Sequence, residues 1–148
     1  MSLNPPEYSG VEYSLRPNVF AYISQSRVGN PIVQSVDPSA PSVERVVDET
    51  TIQLVLDALD DADCRAILEA TSNDPLTART VSETCDLPLS TTYRKLDLLV
   101  DAGLLEERTR VRRSGKHTSE YGRLIEAVFV SLHENGALEL LVSFREDI

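Results

Sequence analysis

Residues 87–121, LPLSTTYRKLDLLVDAGLLEERTRVRRSGKHTSEY, constrain the fold of this chain more than any other segment. Their apolar side chains first recur at the spacing of a helix with one buried stripe, and after Gly103 the pattern changes to that of strands. Ser90 offers a hydroxyl to cap the start of this helix, and Gly103 suits the left-handed residue that ends a helix. The predicted buried stripe consists of Leu89, Thr92, Tyr93, Leu96, Leu99 and Val100. A helix, a glycine stop and a hairpin are therefore expected in this order.

Three shorter amphipathic segments precede this helix, and regular structure is expected to begin near Val43. Asp60 or Asp61 is expected to cap the second helix, and Thr77 the third. The predicted buried positions are Ile52, Val55, Leu56 and Leu59 in the first helix, Cys64, Ile67, Leu68 and Thr71 in the second, and Ala78, Val81, Ser82 and Cys85 in the third. Because the residues DLP at 86–88 form a tight turn, the third and fourth helices make a helix-turn-helix.

Two hairpins are predicted after Gly103. Residues 104–111 and 117–124 form the first hairpin, called the wing below, with a turn around Gly115. A second hairpin is expected where apolar residues alternate on both sides of the turn HENG at 133–136. A helix from Ala137 is the alternative, because Leu140 and Leu141 also fit helical spacing.

These elements predict an α+β fold, a winged helix-turn-helix with three to four helices, a β-hairpin wing and an additional C-terminal β-hairpin. Residues 44–124 are predicted to form the winged domain, and residues 125–148 a hairpin extension packed on it. Residues 1–43 contain six of the eight prolines and no helical periodicity, so a largely irregular arm is expected. The alternative for this arm is that it docks on the domain or on a partner.

The distribution of charge matters more than the net charge of −10. Residues 1–88 sum to −9 and residues 124–148 to −4, whereas residues 89–123 sum to +3. An acidic body with one basic edge is oriented on a polyanion, because repulsion penalises every other approach. The candidate DNA contacts from this pattern are Ser90, Thr91, Arg94 and Lys95 on the helix and Arg108, Arg110, Arg112, Arg113 and Lys116 on the wing. The helix is expected to contact base edges and the wing to contact phosphates.

The sequences LTARTVSETCDLPLSTTYRKLDLLVDAGLLEE (76–107) and RTRVRRSGKHTSEY (108–121) resemble winged helix-turn-helix transcriptional regulators of the ArsR, MarR and TrmB type, especially small archaeal members. The resemblance covers roughly residues 44–124. It implies that Ser90, Thr91, Thr92, Arg94 and Lys95 lie toward the major groove of DNA. It also implies that Arg110, Arg112, Arg113, Lys116 and His117 lie beside the backbone or the minor groove.

Two departures limit this resemblance. The segment PLTARTVSE lacks the paired cysteines that ArsR-type metal sensors often have before the turn, so metal sensing is not expected. The C-terminal segment is strand-like, whereas MarR-type proteins dimerise through long terminal helices. The chain has two lysines and 24 acidic residues, a composition that resembles proteins of salt-loving archaea.

Other classes of function find little support in the sequence. Cys64 and Cys85 are too few for a disulfide framework, and their positions on apolar stripes favour buried structural thiols over redox sensors. His117 and His133 are too isolated for a metal site or a catalytic base, and no nucleophile–base pair or phosphate loop is present, so no enzyme, cofactor or metal is expected. No apolar stretch approaches the roughly 20 residues that span a bilayer, and no signal peptide is recognised, so a cytoplasmic protein without a membrane partner is expected.

The sequence therefore predicts a sequence-specific DNA-binding transcriptional regulator. It is expected to bind double-stranded DNA as a homodimer and to act on the transcription machinery. The alternative, from another class of function, is a winged-helix protein–protein interaction module in a transcription or signalling assembly, without direct DNA binding.

Overall fold

The computed structural model describes residues 42–145, and it confirms the predicted α+β winged helix-turn-helix within them. The expected N-terminal arm lies outside these residues, apart from its last two positions. The elements in chain order are β1 (Val43–Val46), α1 (Glu49–Asp60), α2 (Ala62–Ala70), β2 (Leu76–Thr77), α3 (Ala78–Cys85), α4 (Leu89–Asp101), β3 (Leu105–Val111), β4 (His117–Arg123), β5 (Ile125–Leu132) and β6 (Leu138–Phe144).

Side-chain caps begin the first three helices. The backbone N–H of Thr51 donates to the Asp48 carboxylate at 2.9 Å at the start of α1. Of the two caps considered for α2, Asp61 is the one used, and it accepts from the N–H of Asp63 at 2.9 Å. Thr77 caps α3 as predicted. Each side chain satisfies a backbone donor that has no partner within its helix.

The turn between α3 and α4 is closed from both sides. The N–H of Leu87 donates to the Ser82 carbonyl at 3.0 Å, and the Ser82 hydroxyl donates to the Leu87 carbonyl at 2.6 Å. Asp86 between them adopts a left-handed backbone with φ of 53°. The predicted cap by Ser90 is wrong, because α4 begins one residue earlier and has no side-chain cap hydrogen bond. Gly103 has φ of +74°, as its predicted place after the helix requires.

One core joins the four helices to both sheets. Thr92, Leu96 and Leu99 are the buried residues of α4. Leu89 and Tyr93 were predicted on the same stripe, but they are 42% and 48% exposed. Leu89 lies in the first turn of α4, and Tyr93 lies on the flank of the stripe, where no neighbouring element covers it fully. The fully buried residues are Ile67, Leu96, Leu99, Leu104, Leu105, Leu140, Val55, Val81, Thr71, Thr92 and Cys64.

The wing is a three-stranded antiparallel sheet in the order β2-β4-β3. The sequence predicted its two long strands but not β2, which is two residues long and pairs Leu76 with Tyr121. The register of the long strands sets Arg108 opposite Glu120 and Glu107 opposite Tyr121. Neighbouring residues on a strand point to opposite faces, so these two pairs lie on different sides of the wing.

The second sheet has the order β1-β6-β5 and is also antiparallel. It confirms the predicted C-terminal hairpin, and the alternative helix from Ala137 is wrong. Leu140 and Val142 face the core that the helices build, and this burial favours a strand with alternating apolar residues. β1, which the sequence did not predict, pairs with β6. The domain boundaries at residues 43 and 124 stay predictions.

Candidate nucleic-acid interface

A cleft of about 530 Å³ lies between α4 and the wing. Tyr93 of α4 and Arg79 of α3 border it on one side, and Arg112 and His117 border it at the wing. Its full lining is Thr77, Ala78, Arg79, Tyr93, Glu107, Arg112, His117, Thr118, Ser119 and Tyr121. Among the ionised side chains of this lining two arginines stand against one glutamate, so the cleft attracts anions although the whole molecule is acidic.

The buried ring of Tyr121 lies beneath this cleft. Burial raises the pKa of Tyr121 to about 12, and the carboxylates of Glu107 and Asp97 act in the same direction. The phenol is therefore neutral under ordinary conditions, and it adds no charge to the cleft.

The outer face of α4 presents Ser90 and Arg94, which are both exposed, beside the half-buried Thr91. Within residues 42–145 neither Arg94 nor Arg79 has an ion pair or a side-chain hydrogen bond. Ser90 and Thr91 lie in the first turn of the helix, where the backbone N–H groups and the helix dipole favour a phosphate. This face combines hydrogen-bond donors with an unpaired guanidinium.

The tip of the wing is a tight turn with three exposed cations, Arg112, Arg113 and Lys116. The N–H of Arg112 donates to the Lys116 carbonyl at 2.9 Å, and the N–H of Gly115 donates to the Arg112 carbonyl at 2.9 Å. Gly115 has φ of +80°, which a residue with a side chain rarely adopts. In the part of the chain that the structure describes, the three cations have no carboxylate partner.

Two of the predicted contacts on α4 need correction. Thr92 is fully buried and its hydroxyl donates to the Pro88 carbonyl at 3.0 Å, so the prediction that it contacts DNA is wrong. Lys95 does not line the cleft and forms an ion pair with Asp61 at the start of α2. The side chains of Lys95 and Asp61 are only 15% and 25% exposed. Lys95 is therefore a contact between helices, because its charge is already neutralised inside the domain.

Arg108 and Arg110 differ from the two arginines at the wing tip, because each has a carboxylate partner. Arg108 pairs with Glu106 at 2.8 Å, and Arg110 pairs with Glu120 at 3.1 Å. Arg108 also lines a separate cleft of about 280 Å³, on the face of the wing opposite Tyr121. Alternation along a strand would put Arg112 on the same side as these two, but β3 ends at Val111 and the turn brings Arg112 to the cleft beside α4.

Sequence reasoning missed Arg79 and misplaced Tyr93. The signal for Arg79 was available, because it follows the buried Ala78 and precedes Val81 by two residues, and so lies off the predicted buried stripe of α3. The exposure of Tyr93 had no such signal, because its position on the flank of the stripe becomes exposed or buried according to how the wing packs.

The cysteines do not contribute to this interface. Cys64 is fully buried, and burial followed by the nearby Asp61 carboxylate raises its pKa to about 11. Burial also raises the pKa of the half-buried Cys85. Within residues 42–145, no three His, Cys, Asp or Glu side chains are grouped as a metal site would need. None of the described helices is both long and apolar enough to cross a bilayer.

Comparison with known proteins supports the helix-turn-helix. Residues 59–108 match the family model of a helix-turn-helix domain. This range begins at the end of α1 and ends within β3, so it includes both helices of the motif and the start of the wing. No curated protein matches the chain.

Two solved structures are similar over about half of the chain. One is the homodimeric winged helix-turn-helix DNA-binding domain of a possible ArsR-family transcriptional regulator from Mycobacterium bovis, with 20% identity, 50% of this chain covered and a TM-score of 0.43. The other is a possible transcriptional regulator from Methanosarcina mazei, with 15% identity, 54% of this chain and 73% of that chain covered, and a TM-score of 0.40. The match spans 64% of the mycobacterial domain, less than two thirds of its length. Both likenesses are distant, and the expected salt-loving origin stays a prediction.

Proposed function

We propose that this chain is a transcriptional regulator that binds double-stranded DNA in a sequence-specific manner. α4 enters the major groove, and the wing tip contacts the phosphate backbone. The observation that supports this most directly is a set of five cations that have no carboxylate partner within residues 42–145. Arg79 and Arg112 line the cleft, Arg94 lies on the exposed face of α4, and Arg113 and Lys116 lie at the wing tip. In a chain with 24 acidic residues, such cations serve an anionic partner better than they serve folding.

The proposal divides the contacts into two groups. Arg94 recognises a base edge, with Ser90 and Thr91 donating to a phosphate at the helix start. Arg112, Arg113 and Lys116 bind phosphates without regard to sequence, and His117 lies beside them. Arg79 joins the second group. Arg108 and Arg110 contribute less, because each is already paired with a carboxylate.

Two copies are proposed to bind one pseudo-palindromic operator as a homodimer. Occupancy of the operator then either blocks the transcription machinery or recruits it.

Arg94→Ala tests recognition by α4. A bidentate contact from arginine to guanine provides roughly 1–3 kcal/mol of base discrimination, so the ratio of specific to random affinity should fall about 5- to 150-fold. Fluorescence anisotropy with a selected operator and a random duplex measures this ratio. Arg110→Ala is the matched control, because it removes a paired arginine from the far face of the wing. If Arg94→Ala leaves the ratio unchanged, α4 does not recognise bases through Arg94.

The double variant Arg112→Ala, Arg113→Ala tests the wing tip. Each lost phosphate contact changes the slope of log affinity against log salt by about 0.9, so the slope should flatten by about 1.8. Affinity for operator and for random DNA should fall to a similar extent in titrations over a range of salt concentrations. A loss confined to the operator would contradict this division of roles.

A protein-binding module is the second candidate, and the exposed apolar side chains of α4 favour it. Leu89 is 42% exposed and Leu98 is 40% exposed, and both suit a protein partner. The two candidates differ in DNA binding at low salt. The protein-binding module is supported if the wild-type chain binds no duplex at low salt and if Arg94→Ala and Arg112→Ala do not change the anisotropy.

A further inference from the structure

β5 is at the edge of the sheet β1-β6-β5, so only one of its two sides is paired with β6. Its eight residues make it a long edge strand, and within the described residues no strand pairs with the other side. The free side of an edge strand offers a row of backbone N–H and C=O groups that can pair with another strand.

Beyond its first two residues, this edge lacks the usual protection against pairing. Edge strands are commonly protected by charged side chains, proline or bulges. Residues 127–132, AVFVSL, contain none of the 38 charged side chains of the chain and no proline. The irregularity between Ile125 and Ala127 lies at the start of the strand and leaves the remainder regular. Glu126 is the one charged residue of β5 and precedes this run. An uncharged run of six residues on the surface of so acidic a molecule suits a protein partner.

An apolar patch lies at the end of β5. Val130 is 56% exposed, Leu132 is 70% exposed and Leu138 is 37% exposed. The register pairs Val130 with Leu140 and Leu132 with Leu138. Because directly paired residues share a face of the sheet, this patch continues the surface that buries Leu140 in the core. The apolar face of the sheet therefore extends beyond the part that the helices bury.

We propose that β5 pairs antiparallel with β5 of a second copy of this chain, around a two-fold axis at Val130. In this arrangement Val130 lies opposite its own copy and Leu132 lies opposite Val128, so the central contacts on this face of the sheet are apolar. Ser131 lies opposite Phe129 on the other face. A two-fold interface needs one patch that is complementary to itself, and an uncharged, apolar edge meets this condition.

Charge favours a second copy as the occupant. Each copy has a net charge of −10, so two copies repel wherever their carboxylates approach each other. Residues 127–132 present no carboxylate, and the two chains can approach there with little repulsion. The biological role of this dimer rests on the proposed function, in which two copies bind one operator. Its test needs no DNA.

Charge substitution at the axis tests this interface in the full chain. We expect the wild-type mass in solution, by light scattering coupled to chromatography, to be twice 16.4 kDa. Val130→Lys and Val130→Glu should each be monomeric, because like charges then meet across the axis. An equimolar mixture of the two should be dimeric again, because lysine meets glutamate. Val111→Lys is the matched control, since Val111 is 66% exposed on the wing, and this variant should stay dimeric.

Three results would overturn the inference. They are a monomeric wild-type chain, a Val130→Lys variant that remains dimeric, and a mixture that does not recover the dimer. Hydrogen exchange adds a check, because the amides of residues 127–132 should gain protection as the protein concentration rises. Protection of these amides in a monomer would instead show that another part of the chain covers the edge. Binding of Val130→Lys to a single half-site reports separately on the proposed function, and it should be retained whatever the mass.

Discussion

Asp61 and Lys95 connect three helices through one pair of side chains. The N–H of Asp61 donates to the Ala58 carbonyl at the end of α1, and its carboxylate accepts from the N–H of Asp63 at the start of α2. The ammonium of Lys95 on α4 donates to the second oxygen of that carboxylate. The hydrogen bond from Lys95 holds the pKa of Asp61 below its ordinary value, despite the opposing effect of burial. This pair therefore fixes α4 against the first two helices.

Lys95→Met should reduce the free energy of unfolding by about 1–2 kcal/mol, because a half-buried carboxylate loses its charged partner. The pKa of Asp61 is lowered in the folded state, so the stabilisation is present above the unfolded pKa of about 4 and is lost as pH falls through the folded value. Urea unfolding of both chains from pH 7 to pH 3 should show the difference shrinking at the acidic end. A constant difference would contradict the ion pair.

The same variant separates positioning from DNA contact. If Lys95 only positions α4, Lys95→Met leaves the salt dependence of DNA binding unchanged, whereas a lost phosphate contact would flatten it by about 0.9. Sequence reasoning treated Arg94 and Lys95 alike, because both are cations on the polar side of one helix. The difference between them comes from Asp61, which lies 34 residues earlier in the chain.

The turn between α3 and α4 depends on a residue that can adopt a left-handed backbone conformation. The residues DLP predicted a tight turn, and the structure has one. Its geometry depends on Asp86, which is the non-glycine residue with positive φ within the described range. Aspartate tolerates this conformation better than most residues, and β-branched residues tolerate it poorly.

Asp86→Val should destabilise the domain by about 1–2 kcal/mol, because its side chain clashes with the backbone in the left-handed conformation. Asp86→Gly is the matched control. Its free energy of unfolding should be within about 1 kcal/mol of the wild-type value or higher, because relief of backbone strain offsets the added freedom of the unfolded chain. Thermal unfolding followed by circular dichroism measures both. Equal effects of the two substitutions would show that φ at this position does not limit stability.

The wing shows where alternation succeeds as a predictor and where it fails. The change of period after Gly103 correctly predicted the two long strands. Strand alternation failed for Arg112, because β3 ends at Val111 and the turn places the side chain of Arg112 at the cleft beside α4. β2 was also missed, since a strand of two residues is too short to show a period.

At the scale of the whole molecule, the opposing charges of body and interface would orient it in the proposed complex with DNA. The segment with helix α4 and the wing sums to +3, while the rest of the chain sums to −13. The attractive edge is thus small and local, and the repulsive body limits binding in any other orientation.

A two-fold dimer predicts a fixed distance between half-sites. Recognition helices of such dimers lie about 34–36 Å apart, which corresponds to 10–10.5 base pairs. Inserting five base pairs in the centre of a selected operator turns one half-site to the opposite side of the duplex, and affinity should fall at least about 10-fold toward the non-specific level. Gel-shift titrations measure the loss of affinity. The control is an operator of the original length in which five central base pairs are substituted. Equal binding to both operators would indicate that one copy binds alone.

The order of helices and hairpins was determined by the sequence itself. Apolar periodicity, capping residues and Gly103 act locally, so a few neighbouring residues specify each helix and each strand. The partners of the cations were decided only by the tertiary structure. Lys95 finds a carboxylate between two other helices and Arg110 finds one on the neighbouring strand, while within residues 42–145 Arg79, Arg94 and Arg112 find none. The attraction between two charged side chains weakens with distance, and the distance between side chains of different elements is set only when the chain folds.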